Sequence, residues 1–292
     1  MIAIVAVMSG GPKTNLARNA PIAYQAMPPA ILSAVTGLTA QQFSAAGLGG
    51  SQVSITNAFA ATPSQPPVVE SGKPVVVYVG AEYCPFCAAA RWPLLIALSR
   101  FGRFSNLGIT ASSPVDVYAN THTVSFAKSS YLSLYLGFDP TELSSNVCSP
   151  QSLTTTGCTG ENYEKLMTLS TANAALVTTY DTLKYFPNNQ GNGTGGWIPF
   201  FDFGGKFVAS GSPYSINSIN PGPASGPWPT PLSWQSIVAT FKHPEVAGSP
   251  GQAILGAANI DTAAICDMTG NKPAPVCGSA AVKQAEAALP KS

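Results

Sequence analysis

Two cysteines separated by two residues, Cys84 and Cys87 in Cys84-Pro85-Phe86-Cys87, are the side chains of this sequence best placed to do chemistry. Where such a pair opens a helix, the first sulfur faces unpaired backbone N–H groups and the positive end of the helix dipole. Both favour the thiolate that attacks disulfides. The second sulfur then lies one turn inward, within reach to resolve a mixed disulfide by intramolecular attack. Zinc knuckles use the same spacing, so the context decides. Here the run Val75-Val76-Val77-Tyr78-Val79, ended by Gly80, reads as a strand buried on both faces. From Pro85 to Phe104 the residues favour helix, with Pro93 as an internal kink. Strand, cysteine pair and helix in succession point to thiol–disulfide exchange with Cys84 attacking and Cys87 resolving, a chemistry that needs no bound cofactor.

Ile198-Pro199 is the second element. A proline opening a strand after the Gly-rich stretch Asn188 to Gly196 is a candidate cis-proline. Its loop would lie beside the cysteines and let the Ile198 backbone pair with an extended substrate peptide. The plainer reading is a proline at the start of an edge strand. Trp197 either lines the same groove or packs in the core, and Pro85 and Phe86 complete the candidate substrate contacts. Glu82 is the candidate for proton transfer. Arg91, four residues after Cys87, faces either the active-site end or solvent, and the solvated position is the expectation. His122 and His243 are isolated and read as surface residues, so neither is assigned to a metal.

The elements around these residues are legible in outline. Ile31, Leu32, Val35 and Leu38 recur at helical spacing, Gln41 to Ala46 gives a second short helix, and Ala60 to Pro67 reads as a linker. Ile109 to Ser112 and Thr123 to Ala127 are candidate strands. A helix is expected from about Glu161 to Tyr185, with Tyr163, Leu166, Leu169, Leu176, Tyr180 and Leu183 on one face. Phe200 to Phe203, Gly204-Gly205 and Lys206 to Ala209 form a hairpin signal. Ser233 caps a helix ended by Pro244. Ser249-Pro250-Gly251-Gln252 opens another with Ser at the cap, Pro at the first position and Gln three residues on.

Composition narrows the function classes. Only 9% of the 292 residues are charged, 14 Lys and Arg against 13 Asp and Glu, where soluble domains carry about 25%. The chain has no basic stripe for nucleic acid, and 45% hydrophobic residues argue against disorder. With 27 Gly and 26 Pro, many turns are expected. The other four cysteines fall into close pairs, Cys148/Cys158 and Cys266/Cys277, which fit structural disulfides of an oxidising compartment. Zinc held by Cys84, Cys87, Cys148 and Cys158 is the minor alternative. Asn192-Gly-Thr194 is a glycosylation acceptor pattern. Met1 to Met8 is apolar but far short of the ~20 residues that span a bilayer. It reads either as the tail of an anchor or as an ordinary hydrophobic start.

Val75-Val-Val-Tyr-Val-Gly-Ala-Glu-Tyr-Cys-Pro-Phe-Cys87, with Trp197-Ile-Pro-Phe-Phe-Asp-Phe-Gly-Gly-Lys206 far downstream, resembles the thioredoxin superfamily. Pro85-Phe86 is closer to glutaredoxins and DsbA-type oxidants than to thioredoxin. Gly80 to Trp92 with Leu98 to Gly102, and also Pro29 to Gly47 and Ala257 to Cys277, are similar to a family of membrane-anchored or secreted prokaryotic thioredoxin-like proteins of unknown function. The resemblance implies an α/β fold, a thioredoxin-like central sheet flanked by helices, with a long insertion between the cysteine helix and the cis-proline strand. It places Tyr78 where thioredoxin keeps a buried acid, and Glu82 at an exposed position. Without that acid, resolution by Cys87 is expected to be slow, which suits an oxidant or isomerase.

The expected organisation is an N-terminal arm and linker over 1–66, a thioredoxin-like domain over 67–244 with its insertion at about 108–190, and a disulfide-stapled helical extension over 245–292. The expected function is thiol–disulfide exchange outside the cytoplasm, at the cell surface, membrane-anchored or secreted. Its partners would be exported proteins carrying thiols or disulfides and a redox-recycling protein. The rival is a non-catalytic surface or binding module in which Cys84–Cys87 is a permanent staple.

Overall fold

A computed structural model describes residues 20–148, 158, 162–188, 197–222 and 230–291. The N-terminal segment Met1 to Met8 and the Asn192 acceptor lie outside the described residues. The valine run forms the central strand, Lys73–Gly80, of a mixed sheet flanked by helices. Successive side chains of a strand point to opposite faces. Val76 and Tyr78 therefore enter one core with the helices, while Val75, Val77 and Val79 enter a second with Val177, Phe200 and Val208.

On one edge of the central strand lies the antiparallel strand Phe200–Phe203, Phe200 opposite Val79 and Phe203 opposite Val76. It turns through Gly204 and Gly205, at φ 63 and 77, into Phe207–Ser210. The turn closes with the Lys206 N–H donating to the Phe203 carbonyl at 3.0 Å, and its two central residues sit at positive φ, which glycine adopts without strain. Phe59–Ala61 adds the outer strand. On the other edge Val69–Glu70 pairs with Lys73 and Pro74, and from Val75 onward Gly137–Glu142 runs parallel to the central strand.

That parallel strand comes from the stretch at about 108–190, which is more β than the sequence suggests. The two candidate strands form, as Gly108–Ala111 and His122–Ser125, and pair with each other antiparallel. The helix expected from about Glu161 to Tyr185 is shorter, Thr171–Tyr180. Ser170 caps its start by accepting from the Asn173 N–H at 3.1 Å. Tyr163–Lys165 ahead of it is instead a strand paired with Ser144–Cys148.

Two long helices lie against each other on the helical side, Pro85–Ser99 and Pro250–Met268. The short helices Pro29–Thr36 and Ala40–Ala46 send Ile31, Val35 and Phe43 into the same core. Cys266 at the end of the second long helix pairs with Cys277 in Ala274–Cys277. No helix among the described residues is long and apolar enough to cross a membrane.

Candidate functional site

The site forms where the central strand ends and the first long helix begins. Cys84 is the residue that caps Pro85–Ser99, with extended backbone at φ −77 and ψ 122, and its Sγ accepts from the Cys87 N–H at 3.2 Å. On its other side the Cys84 thiol donates to the Ile198 carbonyl at 3.6 Å. The Ile198-Pro199 peptide is cis, so the cis-proline expectation holds over the plainer alternative. The loop and the cysteine pair, remote in sequence, share one place. Cys84 and Cys87 are both free thiols, 3% and 0% exposed.

The residues around the pair divide into an open rim and a buried floor. Phe86, 41% exposed, meets Tyr118 edge-on at 6.0 Å. Pro85, Ile198 and Pro199 are buried, and Trp197 is partly buried. Tyr83 stacks on Tyr163 with ring centroids 4.3 Å apart, and the Tyr163 hydroxyl lies 2.6 Å from Ser113 Oγ. Burial pushes the Tyr163 phenol up to about 12.

The floor contains two carboxylates and a guanidinium. Arg91 is fully buried, not solvated as expected. Its Nε donates to Glu142 Oε1 at 2.7 Å and its Nη2 to Glu142 Oε2 at 2.6 Å and the Ala81 carbonyl at 2.7 Å. Burial is tolerated because Glu142, also 0% exposed, pairs with it in bidentate fashion. Glu82 is likewise buried, at 2% exposure, against the expectation of a surface site. The Ser125 hydroxyl donates to it at 2.5 Å. Burial raises its carboxyl above the ordinary range, and the nearby Glu142 adds to the rise. Next to them the Cys87 thiol is held well above its ordinary range, chiefly by burial, with Arg91 pulling the other way.

Behind the Ile198-Pro199 loop sits Asp181, whose carboxyl burial lifts to about 7 against the pull of Ser210 and the Trp197 backbone. No sequence pattern singles it out. His122, expected at the surface, is half-buried. Its ring lies 4.0 Å from that of Trp234, and its Nδ1 is 2.8 Å from the Leu232 carbonyl. His243 is exposed beside Glu245.

The remaining cysteines pair as expected, Cys148 with Cys158 and Cys266 with Cys277. Cys148 and Cys158 thus hold each other and supply no sulfur to a four-cysteine zinc site. Among the described residues no group of three or more His, Cys, Asp or Glu is arranged to hold a metal ion.

A family model, Domain of unknown function (DUF929), matches residues 61–267, a span that holds the cysteine pair, the Ile198-Pro199 loop, Arg91 and Glu142. The chain belongs to that family. No curated protein and no solved structure matches it.

Proposed function

We propose that this DUF929 protein is a thiol–disulfide oxidoreductase of thioredoxin-like arrangement acting on exported proteins. The observation that carries the reading is a pair of free cysteines at a helix start. The Cys87 N–H lies 3.2 Å from Cys84 Sγ and the Ile198 carbonyl 3.6 Å from it on the other side. The other four cysteines are bonded to each other, which also supports an oxidising, extracytoplasmic setting.

The exchange runs in two steps. Cys84 Sγ attacks one sulfur of a substrate disulfide, the substrate S–S bond breaks, and the Cys84 proton ends on the departing thiol. Cys87 Sγ then attacks Cys84 Sγ, the bond to the substrate breaks, and the Cys87 proton ends on the second departing thiol. The substrate gains two electrons and the Cys84–Cys87 pair loses them. A recycling partner restores the pair, and the reverse sequence oxidises a substrate dithiol. The substrate chain lies extended along Ile198, with Phe86 and Trp197 as its apolar contacts. Glu82, its carboxyl raised by burial, is the proton-transfer group in this reading.

One observation favours the rival reading. Both sulfurs are nearly closed off from solvent, as in a scaffold whose cysteines are a permanent staple. Equilibrating the protein across a series of glutathione ratios, then alkylating and mapping the peptides, decides between them. The exchange reading expects Cys84 and Cys87 alone to titrate, at a potential near those of exchange catalysts. If all three pairs stay locked until the protein unfolds, the scaffold reading replaces it.

A further inference from the structure

Two buried hydrogen-bond donors close to Cys87 have no acceptor among the described residues. Among the described residues the Tyr78 hydroxyl and Arg91 Nη1 both lack partners, and both residues are 0% exposed. A Cβ placed on Gly80 would come within 2.1 Å of the Tyr78 hydroxyl oxygen and 3.2 Å of Cys87 Sγ. The phenol and the thiol therefore adjoin the same glycine, where any larger residue would intrude. Arg91 follows Cys87 by four positions, so the two share one face of the helix. Its guanidinium lies 5.9 Å from the centre of the Tyr78 ring, with Nε and Nη2 tied to Glu142 and Ala81 and only Nη1 left over.

Unpartnered buried donors are rare because they are costly. Two beside one sulfur are accounted for if their acceptor is present only part of the time. A neutral thiol is a weak acceptor, whereas an ionised sulfur is a strong one. Resting on the exchange reading above, we infer that the Tyr78 hydroxyl, with the Arg91 guanidinium behind it, is a preformed donor site for the negative charge that develops on Cys87 Sγ during resolution.

Donors fixed where charge appears need no rearrangement at the moment of reaction. In the resolving step the Cys87 S–H proton passes to the departing substrate sulfur, the Cys87–Cys84 bond forms, and the bond to the substrate breaks. Tyr78 keeps its own proton throughout. The titratable and charged groups around Cys87 are Cys84 and Arg91 on its own helix, Tyr78 on the central strand, Tyr83 and Glu82 in the connecting segment, and Glu142 on the parallel strand. Glu142 is matched by Arg91, and burial holds the Tyr78 phenol protonated. The hydroxyl is therefore a donor, not a base.

The test uses Tyr78→Phe, which keeps the ring against Phe126 and Phe201 and deletes only the hydroxyl. In the Cys84→Ser background, the Cys87 Cβ resonance is followed by NMR across pH. The thiolate fraction at a given pH should fall by about tenfold or more, the size of one hydrogen bond to a charged group. Reduced protein with both cysteines intact is then treated with an aromatic disulfide whose released thiolate absorbs visible light. The first release, from attack by Cys84, should be unchanged, and the second, from attack by Cys87, should slow by a similar factor. An unchanged Cys87 titration overturns the inference whatever the release shows. Absence of the first release in the unsubstituted protein sinks the exchange reading instead, and the titration still decides separately whether Tyr78 stabilises the Cys87 thiolate. Should Tyr78→Phe not fold, the Tyr78 Cζ resonance in Cys84→Ser protein must move as Cys87 titrates and stay still once Cys87 is also replaced by Ser. A still resonance in both overturns the inference.

Discussion

The helices Pro85–Ser99 and Pro250–Met268 begin alike: Cys84-Pro85-Phe86-Cys87 in one, Ser249-Pro250-Gly251-Gln252 in the other. Each has a capping side chain on extended backbone and proline in the first turn. Each cap accepts from the N–H three residues on, Cys84 Sγ from Cys87 at 3.2 Å and Ser249 Oγ from Gln252 at 3.1 Å. The two helices pack on each other and are buried along most of their length. They differ in what stands over the first turn. A Cβ on Gly251 would lie 2.2 Å from the Thr240 carbonyl oxygen, so the chain packs closely on one side of that first turn while the capping Ser249 stays partly exposed. At the other start Phe86 points outward and the Ile198 carbonyl lies beside the capping atom. One motif thus serves twice. The partly exposed Ser249 oxygen only holds its helix, while the buried Cys84 sulfur holds its helix and, in the proposed exchange, is also the atom that reacts.

Replacing the sulfur separates those two duties most sharply. Cys84→Ser should abolish exchange in the aromatic-disulfide assay. Its melting temperature should be equal or higher, since a hydroxyl is among the best caps. A large loss of stability would show that the two starts are not equivalent as caps. Next in size is Glu142→Gln, which leaves the buried charge of Arg91, on the first long helix, without its counter-ion. An expected loss of about 3–5 kcal/mol in chemical unfolding follows from breaking a buried pair on one side only.

The pH dependence of stability sharpens the contrast at the rim. Asp181, next to Trp197, is lifted by burial from 3.8 to about 7, and Asp116 and Asp202 from 3.8 to about 6. The fold holds protons that the unfolded chain has released. Stability should therefore fall as pH rises from about 4 to 7, by at most about 1.4 kcal/mol per pH unit per group. Asp181→Asn should flatten the upper part of that decline in denaturant titrations run at several pH values. Smallest is Ser249→Ala, an expected loss of about 1 kcal/mol with both phases of thiolate release unchanged.

The strand, the cysteine pair, the hairpin and both helix starts are legible because each is set by neighbours in sequence: a β-branched run, a cap, a Gly-Gly turn. The floor of the site is not. Arg91 follows Cys87 by four, which puts both on one helix face, and that spacing is the available signal that it belongs beneath the sulfur. A charged side chain without a visible partner is nonetheless read as solvated. Glu142 is far away in sequence and meets Arg91 only because Gly137–Glu142 adds to the sheet in parallel, opposite Val75 to Gly80. Glu82 and Tyr163 escape a local reading for the same reason. Ser125, which bonds Glu82, and Tyr83, which stacks on Tyr163, reach them through pairings of distant segments.

That parallel strand has an engineering consequence. The stretch from the first long helix to the Ile198-Pro199 loop looks detachable, a candidate for trimming or for transplantation onto another scaffold. Yet its strand supplies the anion that makes a buried guanidinium tolerable one turn below the cysteines. Trimming across 137–142 would strand that charge, and a minimal version of the protein has to shorten its loops on either side of this segment while carrying Glu142 along with the cysteines.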